Sequence, residues 1–232
     1  MADRAEFLES IRHRTRAGRY KPTRAPDVAW TYRGEPRESR PIEDPPARFL
    51  EELETLGGHG RQVKNLEEAQ EYVLALARKR CAKLLIRWDE DYLRELGVDD
   101  PLKEAGVEVA LWQDLEDVRE AAARADIGLS TAEWAVAETG SLVLTSAPGR
   151  GRSVTLLPPT YVALFPAQRV LRTVSEAIEK YAGRGGLPAN ICFHTGPSRS
   201  GDIEMSLVTG MHGPGDVHAV LVGQGNVDKT AG

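Results

Sequence analysis

Three polar stretches carry the residue types from which a ligand seat could be built. The first, TGPSRSGDIE, follows the apolar run ICFH. Gly196 opens unusual backbone angles, Thr195 and Ser198 supply hydroxyls, and Arg199 offers a planar fork that fits a carboxylate or phosphate. Asp202 and Glu204 close this rim. If Ser200 or Asp202 caps a helix over IEMSLVTG, its free N–H groups face the same anion. The plainer reading is a capped turn with Arg199 in a structural ion pair.

The second stretch, GMHGPGDVH, is a tight turn built on Gly210, Gly213, Pro214 and Gly215. His212 at its tip can carry a proton or donate a hydrogen bond. A zinc site from His212, His218 and His194 is set aside because His194 lies across the intervening segment, so no metal is expected. The third stretch is STAEWAVAETGSLVL. Ser130 with Glu133 matches a capping box. Glu138 and Gly140 stand at a helix-to-strand junction where a carboxylate is either perturbed by burial or simply accepts backbone N–H groups. A further segment, SAPGRGRS, reads as a mobile hairpin tip whose Arg150 and Arg152 reach toward an anion.

These stretches need a scaffold. From about residue 60 apolar strands alternate with amphipathic helices. The strands are CAKLLIRW, VEVALW, SLVLTSA, SVTLLP, YVALF, ANICFHT and DVHAVLVG. LEEAQEYVLALARKR is a helix capped by Asn65 with Glu68 behind it, and AQRVLRTVSEAIEKYAG reads as one long helix. Strands apolar on both faces and separated by helices predict an α/β domain with a largely parallel sheet covered on both sides. Ligands in such sheets bind beyond the carboxyl ends of the strands, and the three polar stretches are expected to meet there. Residues 1–60 form an N-terminal extension, helical at first and then Pro/Arg-rich, 61–225 the α/β domain and 226–232 a tail. RFLEELETLGG near the end of the extension is a helix with Phe49, Leu50, Leu53 and Leu56 on one stripe.

The chain has 232 residues, 41% of them hydrophobic, which is enough for a sizeable core, and its net charge of −5 argues against nucleic acid as a partner. Two cysteines, Cys81 and Cys192, cannot make a sulfur-only cluster, and as free thiols they point to the cytoplasm. No apolar run reaches the roughly 20 residues that span a bilayer, so no membrane is expected. The arm from Tyr20 to Pro46, with Trp30 and Tyr32, is a solvated tail, a docking strap for a partner, or a strap on a sister subunit in a homo-oligomer.

AETGSLVL, RSVTLLPPTYVALF and TGPSRSGDIEMSLVTGMHGPGDVHAVLV, in this order and spacing, resemble the lactate-utilization (LUD) domain family, in its lactate utilization protein C branch. The resemblance covers about residues 62–222. Relatives carry His where this chain has Tyr161. The resemblance implies a three-layer α/β/α sandwich like that of CoA transferases and sugar-phosphate isomerases. It also implies an accessory subunit of a bacterial system that oxidises L-lactate to pyruvate, with iron–sulfur clusters held by partner proteins and no cofactor on this chain. The ligand would be a small anion held by Gly140, Thr195, Gly196, Ser198, Arg199, Asp202, Glu204, Gly213 and Gly215, with Glu138 and His212 as catalytic candidates. The alternative is a free-standing enzyme of CoA-transferase or isomerase type. In the CoA transferases a glutamate of a Glu-x-Gly turn attacks the thioester, and Glu138-Thr139-Gly140 has that form.

Overall fold

The computed structural model describes residue 9, residues 41–182, 186–201, 207–209 and 212–223. The N-terminal arm before Pro41, Asp202, Glu204, Gly210 and the tail after Gly223 lie outside them. The backbone, but not the side chains, is described for 199–201 and 207–209.

Helix α1 (Pro45–Thr55) starts where Asp44 accepts the Ala47 N–H and two prolines occupy the first turn, a position where their missing N–H groups cost nothing. Its stripe buries Phe49 and Leu53 completely. Phe49 meets Phe165 edge-to-face with ring centroids 6.1 Å apart. Strand β1 (His59–Val63) follows, so the packed core reaches back before residue 60. Helix α2 (Leu66–Lys79) is capped by Asn65, which accepts the Glu68 N–H, while the Glu68 carboxylate accepts the Lys64 N–H. Strand β2 (Leu84–Arg87), the short helices α3 (Asp91–Glu95) and α4 (Asp99–Glu104), strand β3 (Glu108–Leu111), helix α5 (Val118–Arg124) and strand β4 (Ile127–Ser130) complete the first half.

The second half runs β5 (Trp134–Val136), β6 (Ser141–Thr145), α6 (Ser153–Leu156), β7 (Thr160–Pro166), β8 (Val170–Leu171), α7 (Val174–Glu179), β9 (Ile191–His194), β10 (Arg199–Gly201), β11 (Leu207–Thr209) and β12 (Asp216–Val222). Six strands form a sheet in the order β1-β12-β7-β4-β2-β3, and every neighbouring pair is parallel. With its flanking helices this is an α/β fold. A second, mixed sheet runs β8-β5-β6-β9, and β10 pairs with β11 as a hairpin. The central strands β4 and β7 are buried almost throughout, which explains their unbroken apolar sequence.

Four sequence expectations are corrected here. SVTLLP is not a strand: Ser153–Leu156 make a helical turn ahead of Pro158 and Pro159. AQRVLRTVSEAIEKYAG is not one helix. A 3-10 turn at Ala167–Arg169 leads into β8, and α7 starts only where Thr173 accepts the Glu176 N–H. Thr173 and Glu176 have capping-box spacing, and Glu176 accepts the Arg172 N–H. That helix start was present in the sequence but was overrun by the apolar periodicity. Ser130 and Glu133 cap no helix, because β4 ends and β5 begins there. The conditional helix at IEMSLVTG is replaced over Leu207–Thr209 by β11; the rest of that segment is outside the described residues.

No helix among the described residues is long and apolar enough to cross a membrane.

Candidate functional site

Strand order locates the first place to look. Strand β2 leads on to β3 at one side of the sheet, whereas its neighbour β4 leads on to β7 at the other. Connections that part in this way leave a crevice beyond the carboxyl ends of the two strands, the usual seat of a ligand. A cleft of about 620 Å³ lies there. Asp89 and Glu90 line it just after β2, Thr131 just after β4, Arg169 just after β7, and Arg150 from the turn that follows β6.

The cleft walls are fixed by paired charges. Arg94 donates to Asp89 at 2.9 Å and also bonds Asp91. The hydrogen bond from Arg94 holds the Asp89 carboxyl below the usual range. Glu90 receives Arg150 Nε at 2.5 Å on one oxygen and the Thr131 hydroxyl at 2.5 Å on the other. Glu133, read from sequence as a cap, instead accepts the Thr145 hydroxyl at 2.6 Å and lies 3.9 Å from Arg150. Arg150 also stands over the Trp88 ring, 5.9 Å from its centroid. The SAPGRGRS tip is thus a tight turn bridged between Ala147 and Arg150 and tied to the sheet: Gly149 accepts the Asp89 N–H, and Gly151 accepts from the Trp88 indole at 2.9 Å.

Arg169 differs from the other two cleft arginines. Nη1 donates to the Ala132 carbonyl at 2.9 Å, and among the described residues it meets no carboxylate. Its guanidinium is therefore oriented, while among the described residues part of its donor fork is unused. Sequence reasoning missed it because it fell inside the expected long helix. Behind the cleft, the buried Arg87 at the end of β2 grips Asp99 of α4 with two bonds of 2.9 and 2.6 Å and bonds the Trp88 carbonyl, which anchors the carboxyl end of that strand.

The sequence-predicted residues lie elsewhere. Gly213 and Gly215 precede β12, so they sit at the amino edge of the sheet and not at the carboxyl edge expected for them. The reason is simple topology: a loop that enters a parallel strand lies at its amino end. The turns do interlock. Ser198 donates its N–H to the Pro214 carbonyl at 2.9 Å, and its hydroxyl accepts the His212 N–H at 3.3 Å. Thr195 joins Ser141 at 2.7 Å, and Ser141 joins Thr139 at 2.8 Å, so TGPS and ETGS are brought together. One turn presses on α1 and the other on Leu56, the residue that caps it. Gly140 has φ +61°, and a Cβ there would stand 2.6 Å from the Leu53 nitrogen; Gly196 has φ +71°, and its Cβ would stand 2.9 Å from Leu56 Cβ. Glu138 is exposed and accepts the Val174 N–H at 3.0 Å, at the start of α7.

Two buried groups border this region. Tyr161 is wholly enclosed, bonds Ser130 Oγ at 2.8 Å and has its phenol pushed well up by burial. The His194 ring lies 5.3 Å from it, its Nδ1 has no hydrogen-bond partner among the described residues, and burial pushes its imidazole down.

The fold and these motifs define an α/β protein of one family. The LUD domain model matches residues 46–222, and the chain belongs to that family. It is 41% identical over 138 residues to "Lactate utilization protein C" of Shouchella clausii, covering 57% of this chain and 59% of that one. Its identity to the protein of the same name from Halalkalibacterium halodurans is 39% over 159 residues, covering 66% of this chain and 67% of that one. The match to the Oceanobacillus iheyensis protein of that name is weaker, at 27%, but runs over 82% of this chain and 92% of the relative. The chain thus spans less than two thirds of the Shouchella relative. A crystal structure of a DUF162 family protein from Deinococcus radiodurans shares the fold, with a TM-score of 0.55 and 20% identity over 76% of this chain and 95% of that one.

Proposed function

We propose that this chain serves lactate utilization, as its relatives are named, as a cytoplasmic accessory subunit that binds a small carboxylate in the cleft at the carboxyl edge. The observation that carries this reading is Arg169, an oriented guanidinium with unused donors in a crevice where the strand connections part. A carboxylate of lactate or pyruvate size matches that fork, and the wall carboxylates Asp89 and Glu90 are already engaged by Arg94 and Arg150, which leaves Arg169 to meet the ligand. Iron–sulfur proteins are the partners that the family resemblance implies, and the two cysteines of this chain cannot themselves hold a four-cysteine cluster. The turns at 195–198 and 212–215, with Arg199, are the second seat to test, since Ser198 bonds both Pro214 and His212.

The test is calorimetric titration of the purified chain with L-lactate and with pyruvate, in the wild type and in Arg169→Ala and Arg199→Ala. Loss of a charge-assisted bond of about 1.5–3 kcal/mol weakens binding roughly ten- to a hundredfold. The reading expects that loss in Arg169→Ala alone. A loss confined to Arg199→Ala moves the seat to the amino edge, and unaltered affinity in both variants removes the carboxylate clamp.

A further inference from the structure

The opposite edge of the sheet carries a second cluster that the cleft does not use. His59 is the first residue of β1 and pairs in register with His218 of β12, so the two imidazoles stand side by side, stacked with centroids 4.7 Å apart. Asp216 lies two residues before His218 on the same strand and therefore on the same face. Its carboxylate bridges their Nε2 atoms, with one oxygen 3.1 Å from His59 Nε2 and the other 2.9 Å from His218 Nε2. The donor atoms of all three residues lie within 4.8 Å of one another.

We propose that His59, Asp216 and His218 form a binding site for a divalent first-row transition ion. Two imidazoles and one carboxylate are the donor set that borderline ions such as Zn²⁺ select, and three protein ligands leave a position open. With bonds of about 2.0–2.2 Å, tetrahedral ligands stand roughly 3.3–3.5 Å apart, so the two carboxylate–imidazole separations of 3.1 and 2.9 Å need to open by only a few tenths of an ångström. The rest of the setting fits. His218 Nδ1 is 2.7 Å from the Tyr72 hydroxyl, the outer partner that orients a metal-bound imidazole. That hydroxyl can donate to Nδ1 or accept from it, so it supports both the tautomer that bonds Asp216 and the tautomer that offers Nε2 to an ion. His218 and Asp216 side chains are 7% and 15% exposed, whereas that of His59 is 58% exposed, which leaves an entry path from solvent on one side. Thr160 donates to Asp216 at 3.4 Å and steadies the carboxylate. Arg80 also bonds Asp216; its half-exposed side chain can swing away when an ion takes that oxygen.

The probe is Co²⁺, followed by Zn²⁺, added to the tag-free chain after chelator treatment. The wild type is expected to take up one equivalent, with the visible absorption of four-coordinate Co²⁺ that Zn²⁺ then bleaches. His59→Ala and His218→Ala are expected to weaken uptake at least tenfold, and Tyr72→Phe to weaken it about ten- to a hundredfold through the outer shell. His59 is exposed, so its variant keeps the fold even if His218→Ala does not. Absence of Co²⁺ absorption and of calorimetric uptake in the wild type overturns the site, as does uptake unaltered in His59→Ala. Lactate binding at the opposite edge is a separate readout, so either proposal can fail without the other.

Discussion

Replacing Gly140 by alanine separates two roles for the ETGS turn. Gly140 has φ +61°, and a Cβ placed on it would stand 2.6 Å from the Leu53 nitrogen and 2.9 Å from the Glu52 carbonyl carbon. These are backbone atoms of α1, whose Phe49 and Leu53 are fully buried, so nothing nearby is a flexible side-chain end. The left-handed conformation costs an alanine about 1–2 kcal/mol. Restoring an ordinary contact moves the helix or the turn by roughly 0.8 Å, and such overpacking typically costs about 1–3 kcal/mol. Reduced freedom of the unfolded chain returns about 0.4–1 kcal/mol. The net expectation is a loss of about 2–4 kcal/mol, read as a lower urea midpoint at unchanged slope. At about 2–4 °C per kcal/mol this also lowers Tm by roughly 5–15 °C. A loss below about 1 kcal/mol accompanied by loss of ligand binding would refute the packing argument and return Gly140 to the ligand seat.

Asp99→Ala strips the partner from the buried Arg87. Breaking a buried pair costs about 3–5 kcal/mol, but the Asp99 side chain is 31% exposed and water can enter, so urea unfolding should show about 2–3 kcal/mol. Glu138→Gln keeps an oxygen for the Val174 N–H and should change stability by less than about 0.5 kcal/mol, whereas Glu138→Ala should cost about 1 kcal/mol. Mass spectrometry after incubation with an acyl-CoA should show no Glu138 adduct; a thioester there would establish the CoA-transferase alternative. His194 has its pKa lowered by burial, so below the ordinary value near 6.5 the unfolded chain binds a proton that the folded chain resists. Its contribution to stability is therefore present above about pH 6.5 and falls as the pH drops through that value toward the folded pKa. Between about pH 7.5 and about pH 5.5 the wild type should lose more stability than His194→Phe, and parallel curves would show that His194 takes its proton freely in the fold.

Much of the scaffold could be read from the sequence because its signals are local. Asn65 with Glu68 marked a helix start, and the apolar runs LLIR, VALFP and DVHAVLV were strands because both faces are covered. The failures are also physical. SVTL has strand-forming residues yet turns as a helix, and the strand β4, IGLS, was passed over because its Gly and Ser interrupt the apolar run. Missing β4 hid the point where the strand connections part, and with it the cleft. Arg169 was misread for a different reason: its neighbours fit a helical stripe, and only the pairing of Val170 and Leu171 with β5 pulls the segment after it into a strand. The pairing of His59 with His218 depends on the register of two strands from opposite ends of the domain, which one sequence does not state.

The two edges are built by different means, and this bears on what each can do. At the carboxyl edge, loops after β2, β4, β6 and β7 meet, so the groups around the cleft come from independently variable segments and are held by ion pairs. Such a seat can adapt its charge pattern while the strands remain unchanged. At the amino edge, His59, Asp216 and His218 are placed by the backbone ladder itself, and side-chain choice adds only Tyr72, Arg80 and Thr160. Burial pushes the Asp216 carboxyl up, but the hydrogen bond and charge of His218, with Arg80 and His59 behind them, hold it at about 2. It is ionised at every physiological pH, and a permanent carboxylate between two ring nitrogens is an acceptor for a cation, whether proton or metal. Strand β12 runs seven residues from Asp216 to Val222, which at about 3.3 Å per residue separates the edges by roughly 20 Å. Over that span a charge in the cleft has little direct hold on the histidine pair in water, so any coupling between the two would have to pass through movement of the strands.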